Sequence, residues 1–126
     1  MPELDTVEWR LVSIETPSET IELGSGDGIP TVRFSDELDP NSEQGRRISG
    51  DTGCNTFEGA YTLHDGQALS VEYLTPTEIF CGERAFEVEQ AYLSALWSVE
   101  TYELAGNRLR LFSNASGYAL TFISNG

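Results

Sequence analysis

Apolar and polar residues alternate along most of this chain, and one stretch departs from that period. In residues 7–14, Val7, Trp9 and Leu11 alternate against Glu8, Arg10 and Val12, the period-two pattern of a half-buried strand. Residues 20–23 form a short extended run that ends in a glycine-rich loop, 24–28. Residues 31–35 read as a strand with Val32 and Phe34 on either side of Arg33; a polar loop over 36–45, containing Pro40, follows, and 46–49 is extended again. Residues 59–64 and 67–74 flank Asp65-Gly66, a dipeptide suited to the positive φ of a two-residue hairpin turn. A second hairpin is predicted from 108–112 and 118–123, where Leu109, Leu111, Tyr118, Leu120 and Phe122 alternate on either side of Asn114-Ala115-Ser116-Gly117.

Between the hairpins the period changes. Ala85, Val88, Tyr92, Leu96 and Val99 recur every three or four residues, one apolar stripe of a helix over about 83–98. Phe86, Leu93 and Trp97 widen that stripe, and Glu83, Glu87, Glu89 and Ser94 are expected on the solvated face. No Ser, Thr, Asp or Asn stands directly ahead as a cap. One helix of this length seals one side of a curved sheet and cannot cover both faces of a parallel one. The predicted fold class is therefore α+β: a strongly bent antiparallel sheet or incomplete β-barrel with one amphipathic helix packed on it.

The 126 residues and 13.9 kDa fit a single domain over 1–126. Acidic residues outnumber basic ones 21 to 7, for a formal charge of −14, and all the basic residues are Arg. Such a surface repels phosphate backbones and anionic headgroups, so no nucleic-acid partner is expected. No apolar run approaches the roughly 20 residues that span a bilayer, so no direct membrane span is expected. The first fifteen residues, with Glu3, Asp5, Glu8 and Glu15, do not look like a secretory signal. A lysine-free acidic surface resembles those of salt-adapted proteins, and equally fits a GC-rich genome.

Candidate chemistry is sparse. His64, the lone histidine, adjoins the Asp65-Gly66 turn and reads as an exposed turn residue, and the carboxylates are too numerous for any pair to stand out. Asp36, Asp39, Asn41 and Glu43 offer oxygen ligands in one loop. Counted from Asp39, however, Gln44 and Gly50 stand where a calcium loop needs Gly and Glu. The 24–28 loop lacks the Lys of a phosphate cradle. Two Cys and one His are too few for a zinc site, and Cys54 and Cys81 lack redox C-x-x-C spacing. No catalytic residue, cofactor or metal is expected, and the chain is read as not an enzyme.

One segment carries a family resemblance. Gly53-Cys54-Asn55-Thr56-Phe57-Glu58-Gly59-Ala60-Tyr61 resembles the G-C-N-x-F-x-G-x-Y signature of the META domain family of HslJ-like, heat-inducible lipoprotein domains. Trp9-Arg10-Leu11 resembles the family's opening W-x-L strand. Thr77-Glu78-Ile79-Phe80-Cys81 resembles its T-x-x-x-C segment, and the Glu89, Tyr92, Leu93, Leu96 run is similar to its helix. The matched region runs over about 7–123, and Ile79-Phe80 stands where family members commonly carry Met-Ala. Many members begin with a lipoprotein or secretory signal, which the first fifteen residues do not resemble. On physical grounds Gly53 and Gly59 belong where the backbone needs positive φ or close approach. Asn55 suits a side-chain-to-backbone turn, and Phe57 and Tyr61 share one strand face. The signature is thus read as building a corner and a core.

The resemblance also bears on the cysteines. An even count in a chain similar to envelope proteins implies a Cys54–Cys81 disulfide; the alternative is two reduced, buried thiols. For function the resemblance implies a non-enzymatic bacterial envelope protein, periplasmic or outer-membrane-associated, with a stress-related role and a monomeric state. A second reading is a binder of a small apolar ligand, a lipid or acyl chain, in a cavity between sheet and helix. Its basis is that the family's fold is similar to secretin-pilot lipoproteins that bind acyl chains.

Overall fold

A computed structural model describes residues 4, 5, 7–24, 26 and 28–124. Among these the order of elements is β1 (Glu8–Glu15), β2 (Thr20–Glu22), β3 (Thr31–Leu38), β4 (Arg46–Asp51), β5 (Thr56–Leu63), β6 (Leu69–Pro76), α1 (Glu83–Ser98), β7 (Thr101–Ala105), β8 (Arg108–Phe112) and β9 (Ala119–Ser124). The sheet runs β6-β5-β4-β3-β1-β9-β8-β7, with β2 paired to the end of β1, and every pairing is antiparallel.

The sheet curls until its two edges touch at one end. Ala68 bridges to Thr101, Leu69 N donates to Glu100 O at 3.0 Å, and Tyr102 N donates to Gln67 O at 2.9 Å. The helix, which joins those same two edges in sequence, packs against β6, β9, β1 and β8. The fold is the incomplete antiparallel barrel with one packed helix that the hydrophobic pattern predicts.

The inward face is dense with aromatic rings. Trp9, Phe34, Phe57, Tyr61, Tyr92 and Phe122 are all fully buried. Tyr92 meets Phe57 edge-on at 5.8 Å and Phe122 at a tilt at 6.1 Å; Phe34 meets Tyr61 edge-on at 5.0 Å. On β1 the simple alternation breaks. A register shift against β9 between Leu11 and Ser13 reverses the parity, so that Ile14 and not Ser13 reaches the core.

Several segments differ from the sequence expectation. The strand expected over 31–35 continues to Leu38, and the polar loop closes at Asp39, whose N–H donates to Gly45 O at 2.8 Å. The first hairpin does not turn on two residues. His64 N donates to Ala68 O across Asp65-Gly66-Gln67, because Gln67 and Ala68 are engaged by the β7 edge. Strand β7 itself is absent from the sequence reading. Ser25 and Asp27 of the glycine-rich loop lie outside the described residues.

The helix has the expected bounds but a narrower buried arc. Val88, Tyr92, Ala95 and Leu96 face the sheet, while Phe86 and Trp97 are 51% and 50% exposed. Phe86 and Trp97 lie roughly 120–140° around the helix from Tyr92, too far to reach a single sheet, whereas Leu93, at about 100°, is half-buried against the core. Glu89, expected in solvent, is buried.

Candidate functional site

The signature segment forms the corner between β4 and β5. Gly53 has φ 94°, a conformation that a side chain would strain, and its N–H donates to Asp51 Oδ1 at 2.6 Å. Thr52 N donates to Asn55 O at 2.8 Å, and Asn55 N donates to Thr52 Oγ1 at 2.9 Å. Gly59 answers to a different constraint: a Cβ there would stand 1.9 Å from Tyr73 O on β6.

Asn55 is the hub of this corner, and its reach is longer than a local turn. Its Nδ2 donates to Ile79 O at 2.9 Å and to Glu89 Oε1 at 2.7 Å. Its Oδ1 accepts from Thr77 Oγ1 at 2.8 Å and from Ile79 N at 2.7 Å. Thr52 Oγ1 also donates to Glu89 Oε1 at 2.7 Å, so the buried carboxylate oxygen takes two hydrogen bonds. Thr52 was not singled out from the sequence, and Glu89, named in the family-like helix run, was placed on the solvated face, whereas it is buried. A signal for Glu89 existed: it precedes Tyr92 by three residues and Leu96 by seven, which places it on the core side of the helix.

The same corner holds the segment 77–82 between β6 and α1. Cys54 is joined to Cys81 by a disulfide, with Cα atoms 5.9 Å apart. Between the two attachments, Ile79 and Phe80 are 64% and 69% exposed. Phe80 lies 6.4 Å from Phe86 on the first turns of α1. The family-motif residues therefore divide by place. Trp9, Phe57, Tyr61, Tyr92 and Leu96 are core, and Gly53, Cys54, Asn55, Thr77 and Cys81 make the clamp.

Several recesses open on the surface, one of about 340 Å³ at the clamped corner beside Gly53, Cys81 and Gly82. A groove of about 630 Å³ crosses the outer face of the sheet, with Glu8, Arg33, Ser49, Asp51, Glu58 and Thr75 among its walls. A neighbouring one of about 350 Å³ lies against Asp39, Asn41, Arg47 and Tyr73. Another, about 320 Å³, opens at a barrel end between Leu4, Tyr61, Leu63, Tyr102 and Leu104. The space between sheet and helix is taken up by Trp9, Phe57, Tyr92, Leu96 and Phe122.

Three tyrosines titrate above the ordinary phenol range. Burial pushes Tyr61 up to about 12, and its hydroxyl donates to Ser35 O at 2.8 Å. Burial also raises Tyr92 well above the ordinary phenol range; its hydroxyl donates to Thr31 O at 2.7 Å. Tyr73 is raised by its hydrogen bond to Asp39, at 2.7 Å. His64 Nε2 lies 2.9 Å from Ser70 Oγ on the exposed hairpin. Among the described residues no acid bonds its other ring nitrogen, and no group of three His, Cys, Asp or Glu side chains could hold a metal. Of the oxygen-bearing loop residues, Asp36 pairs with Arg46 at 2.8 Å, while Asp39 Oδ2 accepts from the Tyr73 hydroxyl at 2.7 Å and from Asn41 N at 3.1 Å. Among the described residues no helix is long and apolar enough to cross a membrane.

Fold and corner together define a half-barrel whose signature loop is clamped by a disulfide and an asparagine hub to the lead-in of its one helix. The chain belongs to the META domain family, whose model matches residues 2–126. It is similar to a protein from Burkholderia xenovorans solved by NMR, at 28% identity and TM-score 0.73, over 97% of this chain and 83% of that one. A second NMR structure matches at 22% identity and TM-score 0.67, over 98% and 96% of the two chains. The crystal structure of a DUF4847 family protein from Bacteroides vulgatus ATCC 8482 shares the fold at 13% identity and TM-score 0.66, over 97% and 94%. No curated protein matches the chain in sequence.

Proposed function

We propose that this META domain is a non-enzymatic module of the bacterial envelope that serves a stress-related role through surface contacts. The observation that carries this reading is the doubly held 77–82 segment, anchored by Asn55 and by the Cys54–Cys81 disulfide, which keeps two large apolar side chains in solvent. A disulfide persists in oxidising compartments, which supports a periplasmic or outer-membrane-associated location. The test is fractionation of the native bacterium, with alkylation of free thiols before lysis. Recovery in the envelope fractions with both cysteines protected is expected. A cytoplasmic protein with alkylated Cys54 and Cys81 would overturn the location. A deletion strain should lose tolerance to heat or envelope stress, and the His64→Ala variant should restore it fully.

The barrel-end recess favours a second reading, a small apolar ligand. Its volume suits a short acyl segment, and most of its walls are apolar. Native mass spectrometry after incubation with medium-chain fatty acids tests it: a one-to-one adduct lost in Leu63→Asp supports the reading, and none at all refutes it.

A further inference from the structure

The helix carries a second apolar face that the fold uses only at Leu93. Phe86, Leu93 and Trp97 recur at seven and four residues, so they line one side of α1 over about 16 Å. Leu93 is half-buried, whereas Phe86 and Trp97 are half-exposed. At the N-terminal end the stripe continues into Phe80 through the Phe80–Phe86 contact, and Ile79 stands beside it. The band is not a loose loop: two independent anchors hold its free end in position.

The charges bordering the band are almost all of one sign. Glu78, Glu83 and Glu87 are exposed in the segments that carry it, Arg84 is engaged with Glu87 at 3.3 Å, and the last turn of α1 has no basic residue. A second copy of the chain would bring the same acidic border and a further −14 against it. An anionic bilayer is repelled for the same reason. A cationic amphipathic segment satisfies both features: its apolar side covers the aromatic rings, and its Lys or Arg side chains meet the glutamates.

We propose that the Ile79-Phe80-Phe86-Leu93-Trp97 band is a docking surface for a basic amphipathic helix of a partner protein. This deepens the proposed function, since it names the chemistry of the contact through which the module acts. Trp97 is a built-in reporter, because the other tryptophan, Trp9, is fully buried with its indole N–H bonded to Leu4 O at 3.0 Å.

The test uses the oxidised full chain and a designed amphipathic Leu–Lys helix as probe. Saturable binding with a blue shift of Trp97 emission is expected, weakening as salt rises. The Phe80→Ser/Phe86→Ser variant removes two exposed rings and should keep the parent melting temperature while losing about tenfold or more in affinity. Glu83→Gln/Glu87→Gln should bind less tightly and with a flatter salt dependence. Unchanged affinity in the Phe80→Ser/Phe86→Ser variant overturns the site, as does absence of saturable binding by the folded, oxidised chain. Binding to phosphatidylcholine–phosphatidylglycerol vesicles in place of the peptide, with the same blue shift, would assign the band to a membrane instead. A dimer seen by sedimentation and abolished by the same two substitutions would assign it to self-association. A failure of any of these kinds leaves the envelope location standing, because fractionation and thiol alkylation decide that separately.

Discussion

Asn55 holds three chain segments with one side chain, and its partners show what each contact contributes. Its amide spans the 77–82 segment through Ile79 and the helix through Glu89, while Thr52 supplies a second donor to the same carboxylate oxygen. Glu89→Ala would leave buried donors short of an acceptor and should cost about 2–3 kcal/mol in chemical denaturation. Glu89→Gln keeps an oxygen able to accept both bonds and should retain most of that stability; Glu87→Ala, on the exposed side, should cost nearly nothing. Equal losses for Glu87→Ala and Glu89→Ala would disprove the hub. Tyr61 makes a separate prediction at high pH. Its burial raises it to about 12 from 10.0, so the folded protein keeps the phenolic proton where the unfolded chain releases it. The associated stability is complete below pH 10 and is lost between 10 and about 12. Tyr92 adds a decline of the same sign through its own burial. Tyr61→Phe, which also gives up the bond to Ser35 O, should start about 1 kcal/mol less stable at neutral pH and decline less steeply through that window. A Tyr61→Phe curve parallel to the parent would refute the assignment.

At the scale of elements, the Cys54–Cys81 bridge encloses β5, β6 and the lead-in to α1. It closes a sequence separation of 27, for which the chain-entropy model gives about 3.5 kcal/mol. Cys54→Ser/Cys81→Ser should lower stability by about that amount, and hydrogen exchange should quicken in residues 80–82 more than at Ile79, which Asn55 still holds. Uniform exchange across the segment would mean that Asn55 alone anchors nothing. Trp97→Ala should cost only about 1–2 kcal/mol, because half the ring is already in water. The helix was legible from end to end because its 3.6-residue period is sustained over four turns. Its faces were less legible. An apolar residue on a helix is read as inward unless the sheet's extent is known, and one curled sheet reaches only the arc around Tyr92. Strand β7 was missed although Tyr102 and Leu104 alternate ahead of Gly106-Asn107. Its five residues are at most half-buried, which leaves little hydrophobic contrast. The β1 parity change at Ile14 and the pull of β7 on Gln67 and Ala68 are set by strand pairing distant in sequence, which local period does not encode. Asn55 was visible as a signature residue, but its partners lie 24 and 34 positions away.

For the whole molecule the governing quantity is charge. Twenty-one acidic side chains face seven arginines, and some of those arginines are spent on exposed pairs: Arg46–Asp36 at 2.8 Å, Arg84–Glu87 at 3.3 Å and Arg110–Glu15 at 3.4 Å. Pairs this exposed are each worth little, so they do not offset a net charge of −14. Self-repulsion of that charge opposes the compact state more than the unfolded chain, whose charges lie farther apart. Raising KCl from about 0.1 M to about 1 M shortens the screening length from about 10 Å to about 3 Å, which removes most of the repulsion between neighbouring glutamates. The melting temperature should therefore rise clearly over that range. An uncharged osmolyte at matched osmolality separates screening from preferential exclusion, since exclusion stabilises with or without charge. A midpoint that stays flat or falls with KCl, or rises equally with the osmolyte, would show that the acidic surface does not limit stability.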